Sequence, residues 1–125
     1  MNNERGIEHN VGNLADRLLD FSVRIIRLVN TLPKNDVIKH ITGQLIRSGT
    51  SSGANYEEAC GAESRADFAH KLSIVLKELK ESRYWLRLIH RTEAVSSQTI
   101  EPVIQECEQL CAIIAKSIIT VRSNK

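Results

Sequence analysis

Apolar residues recur at spacings of three and four along nearly the whole chain. That period fits the α-helix and excludes the period of two that a half-buried strand needs. The first stripe is Leu14, Leu18, Phe21, Ile25 and Leu28, with Asn13 placed to cap its start. Leu19, Ile26 and Val29 widen it, so the spacing predicts a helix buried on more than one side. Thr31 to Asn35, with Pro33 inside, ends it, and Asn35 or Asp36 can cap the next. A second stripe starts at Ile38, Ile41 and Leu45. A third holds Phe68, Leu72, Val75, Leu79, Ser82, Leu86 and Ile89, flanked by Leu76 and Trp85, behind a Ser64–Asp67 capping pair. The fourth runs through Ile100, Ile104, Cys107, Cys111, Ile114, Ile118 and Val121, with Pro102 tolerated in its first turn. Four such helices with short connections predict one all-α domain, an antiparallel up-down-up-down four-helix bundle. Expected bounds are 13–31, 36–60, 64–91 and 97–122, behind a loose arm over 1–12.

The second helix carries the one local conflict. Ser48-Gly49-Thr50-Ser51-Ser52-Gly53-Ala54 would break a helix on propensity, since each glycine costs about 1 kcal/mol against alanine. Yet Ser48, Ser52, Asn55 and Ala59 keep the seam period, and small residues on a seam let a neighbouring helix come close. Gly49 and Gly53, one turn apart, can do the same on a second face. The helix is therefore expected to continue to about Cys60, with Gly61 as its stop.

Composition excludes several classes. Aromatics are 4% of the chain, so the core must be aliphatic. No apolar run approaches the roughly 18 residues of a membrane span, and the first 13 residues lack a signal-peptide core, so a cytoplasmic protein is expected. Cys60, Cys107 and Cys111 read as reduced thiols. Cys107 and Cys111 share a helical face, as metal ligands can, but His9, His40, His70 and His90 are scattered and offer no paired spacing. Core packing is the better reading of these thiols. A di-iron bundle needs Glu-x-x-His, and no glutamate here has histidine three residues on. Serines are plentiful, but neither a Gly-x-Ser-x-Gly elbow nor a phosphate-cradling loop occurs. Neither metal, cofactor, small-molecule substrate nor catalytic residue is expected. The alternative is a metal-binding or catalytic bundle with its site in the core.

Charge is more informative. The net charge is only +2, but between Ser64 and Arg91 seven basic residues face three acidic ones. Lys77, Lys80, Tyr84, Arg87 and Arg91 follow helical spacing along one face, with Arg83 and His90 alongside. Arg17, Arg24 and Arg27 make a second basic strip. Between Thr92 and Leu110 stand four glutamates and no base. Three readings of the third helix stay open: phosphate contact with RNA or DNA, pairing with a neighbouring subunit, or a solvated face.

Helices two and three also carry a resemblance. Gln44 to Ser48, Ala54-Asn55-Tyr56-Glu57-Glu58-Ala59, Ser64, Asp67-Phe68, and Leu72 through Glu81-Ser82 to Leu86 resemble one bacterial family. It is the four-helix-bundle family encoded in intervening sequences of large-subunit ribosomal RNA genes, related to the accessory protein of diversity-generating retroelements. The resemblance spans about Leu14 to Ile119. It implies a bundle without enzymatic activity, assembled with itself as a ring of five, and in the retroelement relative an association with nucleic acid. The family usually has glycine where Ala59 stands, with Gly61 two residues later, which implies a shifted turn. Asn55, Glu58 and Glu81 match polar family positions and are read as structural.

Overall fold

The computed structural model describes residues 2–124, with side chains from Leu14 to Asn124. Its four helices are α1 (Asn2–Asn30), α2 (Asp36–Cys60), α3 (Arg65–Thr92) and α4 (Ser97–Ser123). The backbone of α1 is thus assigned ahead of the expected start at Asn13. The side chains of 1–13, and with them the expected arm over 1–12, lie outside the described residues. α2 runs unbroken through its glycines and serines.

Each later helix is capped as local chemistry dictates. Asn35 accepts from the Ile38 amide, Ser64 from Asp67 and Ser96 from Thr99, covering N–H groups that a helix start leaves bare. The Ser64–Asp67 box is only half formed: Asp67 turns its carboxylate to Lys71, 3.6 Å away. Gly61 ends α2 at φ −95°, so its role is termination rather than a left-handed cap. Glu93 closes α3 in the left-handed region, at φ 59°.

α1 packs on α2 and α4, α2 also on α3, and α3 on α4, around one core. Cross-helix contacts run in opposite directions along successive helices. Ile25 meets Gly49 while Leu18 meets Gly53. His40 and Ser48 of α2 meet Trp85 and Ser82 of α3. Leu79 and His90 of α3 meet Cys107 and Ser97 of α4. Leu18, Phe21, Ile25, Leu45, Leu79 and Leu86 are wholly buried. Each contributes about 1.5–3 kcal/mol in burial against water.

Three seam assignments shift. Tyr56, not Asn55, takes the inward position on α2, because 48, 52, 56 and 59 is the run that stays on the core side. On α4, Val103 and Leu110 are buried while Ile104 and Val121 are half-buried. Among the described residues nothing covers the expected second buried side of α1: Leu19 is 61% exposed and Ile26 44%. With α2 on one flank and α4 on the other, the four-helix ring supplies no further helix to cover them.

The close α1–α2 approach gives a sharp stability test. A Cβ at Gly53 would sit 3.5 Å from Leu18 Cβ, an ordinary contact. A Cβ at Gly49 would lie 3.1 Å from Cγ1 of Ile25, which is wholly buried and stiff at its branch. Gly53→Ala should therefore gain up to about 1 kcal/mol of helix propensity. Gly49→Ala should lose that gain to crowding. In urea unfolding the midpoints should order as Gly53→Ala, wild type, Gly49→Ala. A Gly49→Ala variant more stable than Gly53→Ala would contradict the packing described.

Candidate interaction surface

The outer face of α3 is where charge and exposure coincide. Lys77, Lys80, Tyr84, Arg87 and Arg91 are all exposed, and Arg83 is half-buried. The acids of α3 are disposed differently. Asp67 pairs with Lys71. Glu78 and Glu81 both turn to Arg47 on α2, Glu78 at 3.2 Å and Glu81 in close contact. Among the described residues, none of Lys77, Lys80, Arg83, Arg87 or Arg91 forms an ion pair. Arg47 thus draws two carboxylates to the α2 side and leaves basic groups on the outer side.

Glu81 is the hinge of this arrangement. Besides Arg47 it accepts from Trp85 Nε1 at 3.0 Å. Hydrogen bonds from Arg47 and Trp85 hold its carboxyl below the usual value, against the opposing effect of partial burial. Trp85 in turn meets Tyr84 edge-on at 5.1 Å and His40 at 6.4 Å. The exposed Tyr84 is therefore propped by an ordered ring beneath it. Sequence placed Glu81 as structural and missed Arg47 as its partner. The only signal was that both lie in the segments carrying the family resemblance.

The other expected positions separate. Asn55 Nδ2 donates to the Ser51 carbonyl at 2.8 Å, a local bond within α2. Glu58 is exposed and makes no side-chain hydrogen bond or ion pair among the described residues, since the α2 seam turns inward through Tyr56 and Ala59. The Arg17–Arg24–Arg27 strip is broken: Arg17 binds Glu106 through Nη2 at 2.7 Å and Nε at 3.1 Å. Arg24 is half-buried and Arg27 exposed.

The thiols do not converge. Cys60 is exposed on α2, whereas Cys107 and Cys111 are buried on α4. The Cys107 thiol donates to the Leu79 carbonyl at 3.2 Å, and its neighbour Cys111 together with burial pushes its pKa up. Cys111 is lowered to about 7 by the adjacent Cys107, helped by the charges of Arg83 and Lys80. Among the described residues no group of three or more histidines, cysteines or carboxylates stands close enough to hold a metal ion. Burial, with Cys60 beside it, pushes the Tyr56 phenol up to about 12, so it stays protonated at neutral pH.

One cluster imitates a catalytic triad. His90 Nε2 lies 3.0 Å from Ser97 Oγ and 3.6 Å from Glu101. A triad needs serine and carboxylate on opposite ring nitrogens, so that one orients the base for the other. Here both meet the same nitrogen, and the group closes the α3–α4 turn instead. No helix among the described residues is long and apolar enough to cross a membrane.

The Glu81 node predicts a pH signature. A carboxyl lowered on folding adds stability that is present above its ordinary value, 4.5, and lost as pH falls through the lowered one. Glu81→Gln should lower the melting temperature at pH 7, and the gap should close below about pH 4.5. Trp85, the single tryptophan, should shift its emission in the same variant. A gap that widens in acid would contradict this role.

Comparison with known proteins agrees with the architecture. No curated protein matches the chain. Among solved structures it is similar to a protein of unknown function from the S23 ribosomal protein family of Bacteroides thetaiotaomicron, at 40% identity and a TM-score of 0.77. That likeness covers 84% of this chain and 97% of the other. The family model described as 23S rRNA-intervening sequence protein matches residues 13–116. The chain is therefore a member of the family of 23S rRNA-intervening sequence proteins.

Proposed function

We propose that this protein is a non-enzymatic, self-assembling helical bundle whose α3 face contacts the phosphates of RNA or DNA. One observation carries the reading. Every acid on α3 is drawn into an ion pair, while Lys77, Lys80, Arg87 and Arg91 stand exposed and unpaired among the described residues, around Tyr84. Exposed bases on a rigid helix neutralise phosphates and release counterions, and an exposed tyrosine offers a base a stacking surface. The pattern reads no sequence, since phosphate contacts position a nucleic acid without specifying it. A ring of five copies, as the family resemblance implies, would present five such faces. Weak contacts would then add by avidity. Such a protein works in the cytoplasm without cofactor or small-molecule substrate.

Fluorescence anisotropy with single-stranded RNA and duplex DNA at low salt tests this. Binding should weaken as salt rises. Each of Lys77, Lys80, Arg87 and Arg91 changed to Gln should reduce the log–log salt slope by about 0.7 on single strands or about 0.9 on duplex. Tyr84→Ala should weaken single-strand binding by about 1–3 kcal/mol and spare duplex. Lys39→Gln, on α2, serves as the control. No binding at low salt would end the nucleic-acid reading.

A further inference from the structure

A groove of about 390 Å³ runs along the outside of α1 and α2, away from the basic face of α3. Leu19, Val23 and Ile26 form its α1 wall, and Thr50, Gly53 and Ala54 its α2 wall. The three aliphatics are exposed, at 61%, 36% and 44%. An apolar strip of this kind on a helix, backed by small residues, has the form that accepts another helix. Glu57 is the one charge in its lining. Along its outer α1 edge, beyond Val23, exposed Asp16 and Asp20 stand toward the Glu57 end and exposed Arg27 toward the other. A nucleic-acid backbone would meet carboxylates at the acidic end. A helix with the opposite gradient would be matched throughout.

The outer face of α4 has such a gradient. Glu108 is exposed early, Lys116 later, with exposed Ala112 between them and Ile119 beyond at 66% exposure. Ile119 has no cover among the described residues. We infer that the α1–α2 groove seats α4 of a second copy, antiparallel to α1. In the register that sets Val23 on Ala112, Arg27 falls beside Glu108 and Asp20 beside Lys116. Small Ala112 lets the helices approach, and Ile119 closes over the Leu19 end. Because groove and α4 are different surfaces, the contact is head-to-tail and generates rings. The inference rests on the self-assembly proposed above and names its contact surfaces. An α1–α1 pair would also match charge, but it makes a closed two-fold dimer and leaves Ile119 in water.

The mass of the full chain in solution, by light scattering and native mass spectrometry, tests this. Asp20→Arg with Arg27→Glu should raise the dissociation constant more than about tenfold and shift the mass toward the 14.1 kDa monomer. Adding Glu108→Arg and Lys116→Glu to the same chain should restore assembly. Leu19→Lys and Ile119→Asp should each dissociate it, and all six sites are exposed, so circular dichroism should stay helical. If the α1 double swap leaves the mass unchanged, α1 meets α1 or neither, and the inference is overturned. If Leu19→Lys also leaves the oligomer whole, self-assembly stands and its interface lies elsewhere. A wild-type monomer at all concentrations would overturn self-assembly and the inference together.

Discussion

The close approach of α2 to both of its neighbours is the constraint on which the rest of the bundle depends. Gly49 and Gly53 bring α1 within van der Waals reach of the α2 backbone. Ser22 then reaches across to the Gly49 carbonyl at 3.1 Å. On the other side Ser82 donates to Ser48 at 2.8 Å, and Ser48 in turn donates to the Leu45 carbonyl at 3.3 Å. A side chain at Gly49 would crowd Ile25 and push α1 outward, whereas Gly53 has room for a methyl group and no more than ordinary contact with Leu18. The serines resolve the polar cost of such closeness, because each buried hydroxyl finds an acceptor. This explains why a stretch unfavourable to helix propensity remains helix: tertiary contact outweighs about 1 kcal/mol per glycine.

That same closeness sets the charge pattern. With α2 and α3 tight together, Arg47 reaches Glu78 and Glu81 across the seam. Its pull is less a matter of stability, since exposed ion pairs contribute little, than of direction. Glu81, one turn from Lys77 and able to pair with it along the helix, is drawn sideways instead, and Glu78 with it. The outer face of α3 becomes basic without any large excess of charge in the chain, whose net is only +2. Trp85 shares Glu81 and supports Tyr84, so aromatic and charge order come from one node.

The interior, by contrast, is filled for packing. Cys107 bonds a helix carbonyl, Tyr56 keeps its proton, and the His90–Ser97–Glu101 cluster lacks the geometry of a relay. The features that set this bundle apart from a plain packed core lie on its outside. There the two surfaces differ in kind. The α3 face is basic and aromatic, suited to a polyanion. The α1–α2 groove is aliphatic and charge-graded, suited to a helix. Under the reading proposed above, their separation would leave the α3 face open to a nucleic acid while the groove held a second copy.

Four helices, their connections and most of the core were legible in the sequence, because a three-four apolar period is a local property of the chain. All five residues of the first stripe are buried as spaced, and Ser48, Ser52 and Ala59 hold the α2 seam. The basic stripe of α3 was legible for the same reason. Spacing alone could not say which acids would neutralise it, since Arg47 lies 31 and 34 residues from Glu78 and Glu81. Nor could it say that Tyr56 displaces Asn55, that Glu58 faces water, or that Leu19 and Ile26 remain uncovered. Periodicity fixes which side of a helix is apolar, whereas the number and placement of neighbouring helices decide how much of that side is covered. Only the tertiary structure supplies those neighbours, and with them the uncovered groove.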